Sequence, residues 1–257
     1  MPINFTKIFS DCWNFIRNQQ QIVFKFTALY VLVNLFSYFV QQKIPISAIQ
    51  QSNNPIDVLD SQIAAEQENS FILFCLIVFI FASVLITIWG YITFDKLSHQ
   101  QQVTISETFT LALKKIIGVI FIGAIILIPL SIGVSGSLAL LIMPSQSDSL
   151  PFLFLTMIGL FLFVRLNLAI VHYAISNKSW LQSIKEIWAY GKKHNGVLFI
   201  YFLIAHIFFP LISQNLTALS QVNLFTAIIG TILMTFISMF SLIFSYRFYS
   251  LFIQRGK

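Results

Sequence analysis

Residues 152–175 read FLFLTMIGLFLFVRLNLAIVHYAI, and in this stretch Arg165 is the one permanently charged side chain. Apolar residues fall on all sides of the helix that such a run would form, whereas a helix on a soluble core is apolar along one stripe. About 20 apolar residues cross the hydrocarbon layer of a bilayer. In lipid the backbone must satisfy its own hydrogen bonds, so the stretch reads as a transmembrane helix.

Five further runs share this character, at about 22–40, 71–91, 116–143, 197–213 and 224–246. Charged residues are 9% of the 257, against about 25% in soluble domains. The sequence therefore predicts an all-α fold: a polytopic membrane protein with six transmembrane helices in a single integral membrane domain over residues 1–257. The first hydrophobic run begins only at Ile22, with no short apolar core and cleavage site ahead of it, so the N-terminus is expected to be retained.

Lys and Arg set the orientation, since short loops rich in them stay in the cytoplasm. They fall before the first run (Lys7, Arg17), after the second (Lys96, Lys114, Lys115), after the fourth (Lys178, Lys185, Lys192, Lys193) and in the tail (Arg255, Lys257). The alternate loops carry Lys43 alone, beside Asp57, Asp60, Glu66, Glu68 and Asp148. Both termini are expected in the cytoplasm. The first outer loop, residues 41–70, is polar, with room for a short helix over 56–68.

A repeat runs through the chain. Residues 114–122 (KKIIGVIFI) and 192–200 (KKHNGVLFI) agree at six of nine positions at an offset of 78. The segments ahead of them, 106–115 and 179–193, are basic and amphipathic, suited to a membrane surface. Ile8, Phe9, Cys12, Trp13, Phe15 and Ile16 repeat the theme ahead of the first run, with Trp13 in the place of Trp188. Three units follow, each an interfacial helix and a transmembrane hairpin.

Arg165 is the costly residue, at about 2.5 to 3.5 kcal/mol on insertion scales for a central position. It reads either as a contact for lipid phosphate or an anionic substrate, or as a side chain that snorkels to the headgroups. Arg247 and Lys25 lie near run ends and suit snorkelling. Lys192 and Lys193 complete the candidate lipid or substrate contacts. Pro129, Gly133 and Pro210 are candidate helix interruptions, with Gly136 beside them, and paired interruptions can expose backbone to a transported solute. His172 and His206 have no acid or second His at ligand spacing.

Several function classes lose support. GxSxG, HExxH, CxxC and phosphate-binding glycine loops are absent, and Asp11, Asp95, Glu107 and Glu186 stand isolated, so no catalytic residue, cofactor or metal is expected. Cys12 and Cys75 form no framework. The net charge of +6 is spread over the ends of the apolar runs rather than gathered in a basic domain, which argues against nucleic acid.

Asp11, Asn14, Phe15, Arg17, Asn18 and Gln19, with Arg247-Phe248-Tyr249, Leu251 and Ile253, resemble the two ends of the YciC-like family of bacterial inner-membrane proteins. The resemblance covers essentially the full chain and implies an inner-membrane location without an established activity. The loop 179–195 also looks like one in bacterial membrane domains attached to phosphodiesterases, whose catalytic part has no counterpart here. The expected partner is the phospholipid bilayer, with anionic headgroups on the cytoplasmic side. The expected role is to organise lipid or partner proteins without catalysis; the alternative is a transporter or channel for a small or amphiphilic solute.

Overall fold

Apolar runs of this length become helices because the helix is the one local structure that pairs every backbone group within the segment. The computed structural model describes residues 3–42, 55–142, 150–220 and 224–256. Its helices are α1 (Phe5–Asn18), α2 (Gln20–Gln42), α3 (Pro55–Ser98), α4 (Ile105–Ile142), α5 (Leu150–Leu166), α6 (Leu168–Ile175), α7 (Trp180–Gly191), α8 (Asn195–Phe202), a π-helical turn (Leu203–Phe208), α9 (Phe209–Ser220) and α10 (Leu224–Gly256). The described residues contain no strand.

Among the described residues, five segments can cross a membrane by length and composition: Leu73–Ser98, Ile105–Ser137, Pro151–Ile175, Asn195–Ala218 and Phe225–Gln254. A shorter apolar stretch, Gln20–Phe36, lies in α2. Large apolar side chains such as Phe24, Phe154, Met157 and Phe225 face outward. That surface suits lipid and would be an aggregation hazard in water. The chain is thus an all-α polytopic membrane protein.

The amphipathic segments dock in cyclic order, each on the second crossing helix of the preceding hairpin. Residues 105–115, the start of α4, lie on α3: Trp89 Nε1 donates to Thr108 Oγ1 at 2.9 Å, and its ring meets Phe109 edge-on. α7 lies on α5 and α6, with Ile187 fully buried. α1 closes the ring against α10, stacking Phe5 on Phe248 and Phe9 on Phe240. Ile8, Cys12 and Phe15, at helical spacing, form the buried face of α1.

The middle unit departs from the expected pattern, because residues 106–115 are not a separate helix but run straight into α4. Gln19 (φ −119°, ψ 38°) and His194 (φ −130°, ψ 26°) leave helical geometry and separate the surface helices from α2 and α8. Lys115 and Ile116 offer no such break. The expected correspondence of Trp13 with Trp188 also needs correction. Phe15, in the last turn of α1, lies under Arg247 as Trp188, in the last turn of α7, lies under Arg165, whereas Trp13 is exposed. Residues 56–68 belong to the continuous α3.

Pro129 does not interrupt α4; neighbouring turns can absorb the freed carbonyl. Gly133 and Gly159 set the spacing of α4 and α5. A Cβ on Gly133 would strike the Thr156 backbone, and one on Gly159 would lie 2.5 Å from Leu130 Cα. Small residues let membrane helices approach this closely. Pro210 follows the π-helical turn, so there the helix does change pitch.

Candidate functional site

The C-terminal ends of α3, α6 and α10 share one end of the bundle with the N-terminal ends of α2, α4 and α8. Tyr246 donates to Asp95 Oδ1 at 3.3 Å, and Lys115 Nζ donates to the Tyr173 carbonyl at 2.7 Å and to the Ser176 carbonyl. Lys115 thus caps the unpaired carbonyls ending α6, where the helix dipole favours a cation. Its repeat partner Lys193, with Lys192, is exposed, and neither has an ion pair among the described residues. Lys25 is exposed as well.

Arg165 is 6% exposed. Its Nη1 donates to Asn195 Oδ1 at 2.6 Å and its Nη2 to the Trp188 carbonyl at 2.9 Å, while the guanidinium sits 4.5 Å from the Trp188 ring centroid. Gly191 lies alongside: a Cβ there would be 3.2 Å from Leu198 Cδ1 and in ordinary contact, at 3.6 Å, with Arg165 Nε. Each charge-assisted bond is worth about 1.5 to 3 kcal/mol, so two of them offset the insertion cost estimated above. The two terminal nitrogens end on protein acceptors, while the buried Nε has no partner among the described residues. Arg165 therefore staples α5 to the α7–α8 turn.

His172 has the partners that sequence spacing hid. Its Nδ1 lies 2.7 Å from Tyr249 Oη and its Nε2 lies 3.0 Å from Glu186 Oε2. A carboxylate only accepts, so Nε2–H donates to it, and in the neutral ring Nδ1 accepts from Tyr249. Lys178 Nζ donates to both Glu186 oxygens, at 2.5 and 2.6 Å. The hydrogen bond from Lys178 holds the Glu186 carboxyl below the usual carboxylate range, against some burial and with help from His172. This row joins α6, α7 and α10. His206 packs its ring against Phe163, with centroids 4.9 Å apart.

Arg247 shares the unpaired Nε of Arg165, but among the described residues it lacks the terminal-nitrogen hydrogen bonds that Arg165 makes. Its guanidinium lies 5.0 Å from the Phe15 ring centroid and 5.8 Å from that of Tyr246. Among the described residues it has no ion pair, and its buried Nε has no hydrogen-bond partner. It borders a pocket of about 450 Å³ with Asp11, Asn14, Asn18, Gln19, Ser98 and Gln100. Gln100 holds a φ of 54°, a left-handed conformation that a non-glycine residue adopts at a cost of about 1 to 2 kcal/mol. Behind the pocket, burial pushes the Cys12 thiol up to about 12, against the attraction of Arg247.

The N-terminal and C-terminal segments that carry the family resemblance meet at this pocket. The recess sets the Arg247 guanidinium among carboxamides and the Asp11 carboxylate, and a guanidinium with no ion pair among the described residues can take an anionic oxygen group. No group of three or more His, Cys, Asp or Glu that could hold a metal occurs among the described residues.

Fold and site together define a polytopic α-helical membrane protein whose surface helices gather at one basic end. The chain belongs to the family of a Haemophilus influenzae protein described as "Uncharacterized protein", to which it is 35% identical over 254 residues, covering 99% of this chain and 100% of that one. No family model matches the chain. No solved structure matches it.

Proposed function

We propose that this is a non-enzymatic inner-membrane protein of the YciC-like kind that organises anionic phospholipid at its basic end, which faces the cytoplasm. The supporting observation is Arg247, a cation without an ionic partner among the described residues, at a polar pocket on that end. The charge bias adds weight. The connections at that end hold Lys96, Lys114, Lys178, Lys185, Lys192 and Lys193, and such a bias marks the cytoplasmic side. Exposed Lys192 and Lys193 extend the basic surface, where each cation near an anionic leaflet contributes about 1 kcal/mol. The transport alternative loses its main support, because Arg165 is engaged by Asn195 and Trp188.

The test is native mass spectrometry of the detergent-purified full chain with phosphatidylglycerol and phosphatidylcholine. Preferential retention of phosphatidylglycerol, reduced several-fold in Arg247→Gln and less in a Lys192→Gln/Lys193→Gln double variant, is expected. Equal retention of the two lipids by the folded wild type contradicts the reading.

A further inference from the structure

A second recess lies deeper, among α2, α3, α6, α8, the π-helical turn and α10. Its volume is about 310 Å³, and Tyr30, Thr87, Asn167, Tyr201, His206 and Ser241 are among its lining residues. Tyr30 is ten residues into α2 and Thr87 eleven residues from the end of α3, or ~15 Å from the basic end at 1.5 Å per residue. That is near the middle of a ~30 Å hydrocarbon layer.

Asn167 is 8% exposed, and neither its Oδ1 nor its Nδ2 has a partner among the described residues. Each unpaired buried amide atom costs about 1 to 3 kcal/mol. The residue stands at the junction of α5 and α6, and it shares the recess with Ala205 and His206 of the π-helical turn. Irregular helix at membrane depth is tolerated where it lines a cavity, and π-helical turns recur at functional sites.

The wall selects by charge and by hydrogen-bond polarity. No Asp, Glu, Lys or Arg lines the recess, so an ion entering it would lack a counter-charge in low dielectric. Several hydroxyl hydrogens are already committed: Tyr201 donates to Ser245 Oγ at 2.9 Å, Thr87 to the Ser83 carbonyl at 2.8 Å and Ser238 to the Met234 carbonyl at 3.0 Å. Their oxygens keep acceptor capacity, and Asn167 adds a free acceptor and a free donor. The complement is a molecule with several O–H groups and no charge, set against tyrosine rings.

We propose that this recess binds an uncharged polyol, either a free sugar-sized solute or the sugar headgroup of a neutral lipid. The proposal goes beyond the anionic-lipid reading and does not depend on it.

Full-length protein in phosphatidylcholine nanodiscs, which carry no anionic lipid, is titrated with glucose, with a monoglucosyl diacylglycerol and with sodium phosphate, and binding is read by native mass spectrometry. At least one polyol probe is expected to bind, about tenfold more weakly to Asn167→Leu and to Ser241→Leu, which fills the recess from α10 and leaves Asn167 in place. Binding of the glycolipid alone assigns a lipid headgroup, and binding of glucose alone assigns a solute. Uptake of water only, binding of phosphate in preference to both polyols, or equal polyol binding in the folded Ser241→Leu variant overturns the proposal.

Discussion

Arg165 donates to the main-chain carbonyl of Trp188 while its guanidinium lies 4.5 Å from the centroid of the same residue's indole ring. One α5 side chain thereby fixes both the last turn of α7 and, through Asn195, the first turn of α8. Replacing it with Gln strips the Trp188 carbonyl and Asn195 of their donor. Arg165→Gln is expected to lose about 2 to 4 kcal/mol of stability, on the scale of lost charge-assisted bonds. Arg165→Lys, which keeps the charge without the fork, should fall between. Thermal unfolding in detergent measures both, and faster trypsin cleavage at Lys192-Lys193 should accompany the loss.

The Lys178–Glu186–His172 row gives a pH dependence of definite sign. The Glu186 carboxyl is held below its ordinary range by Lys178. Its contribution to stability is therefore fully present above the ordinary glutamate range, and it is lost as pH falls through that range toward the lowered folded value. The unfolding midpoint of Glu186→Gln should be less sensitive than wild type to acidification through that window. Parallel curves for the two proteins would exclude this source.

Cys12 should be inert in the folded protein. Its thiol is buried and pushed up to about 12, so almost no thiolate exists at pH 8. Maleimide labelling of a Cys75→Ser protein is expected to be slow until denaturant is added. Rapid labelling under native conditions would place α1 away from α10.

Gly159 separates α5 from α4 at the Leu130 backbone. Backbone cannot yield as a side-chain tip does, so Gly159→Ala is expected to destabilise by about 1 to 3 kcal/mol, the usual cost of overpacking. Gly123→Ala on the same α4 helix meets nothing within 4 Å and serves as the control.

The helices were legible because a lipid-spanning run carries its own signature in apolar length, and so was the surface character of α1 and α7, from residues such as Ile8, Cys12 and Phe15 at helical spacing. Tertiary partnerships were not. Glu186 lies 14 residues from His172, and Tyr249 lies 77 away, so no local spacing rule joins them. Nothing in the local sequence marks Asn167, since the recess around it draws on α2, α3 and α10. Arg165 was recognised as costly, but its acceptors lie beyond the loop in α7 and α8. Pro129 misled because proline reads as a breaker, while a membrane helix can pass through it.

Arg247 and its pocket carry the lipid-binding proposal. A crystal structure of the full chain grown from a lipid phase containing phosphatidylglycerol tests it directly. The predicted result is a lipid phosphate within about 3 Å of the Arg247 guanidinium, the distance of a charge-assisted hydrogen bond. An Arg247 paired instead with Asp11, with phosphatidylglycerol resolved elsewhere on the protein, would contradict it.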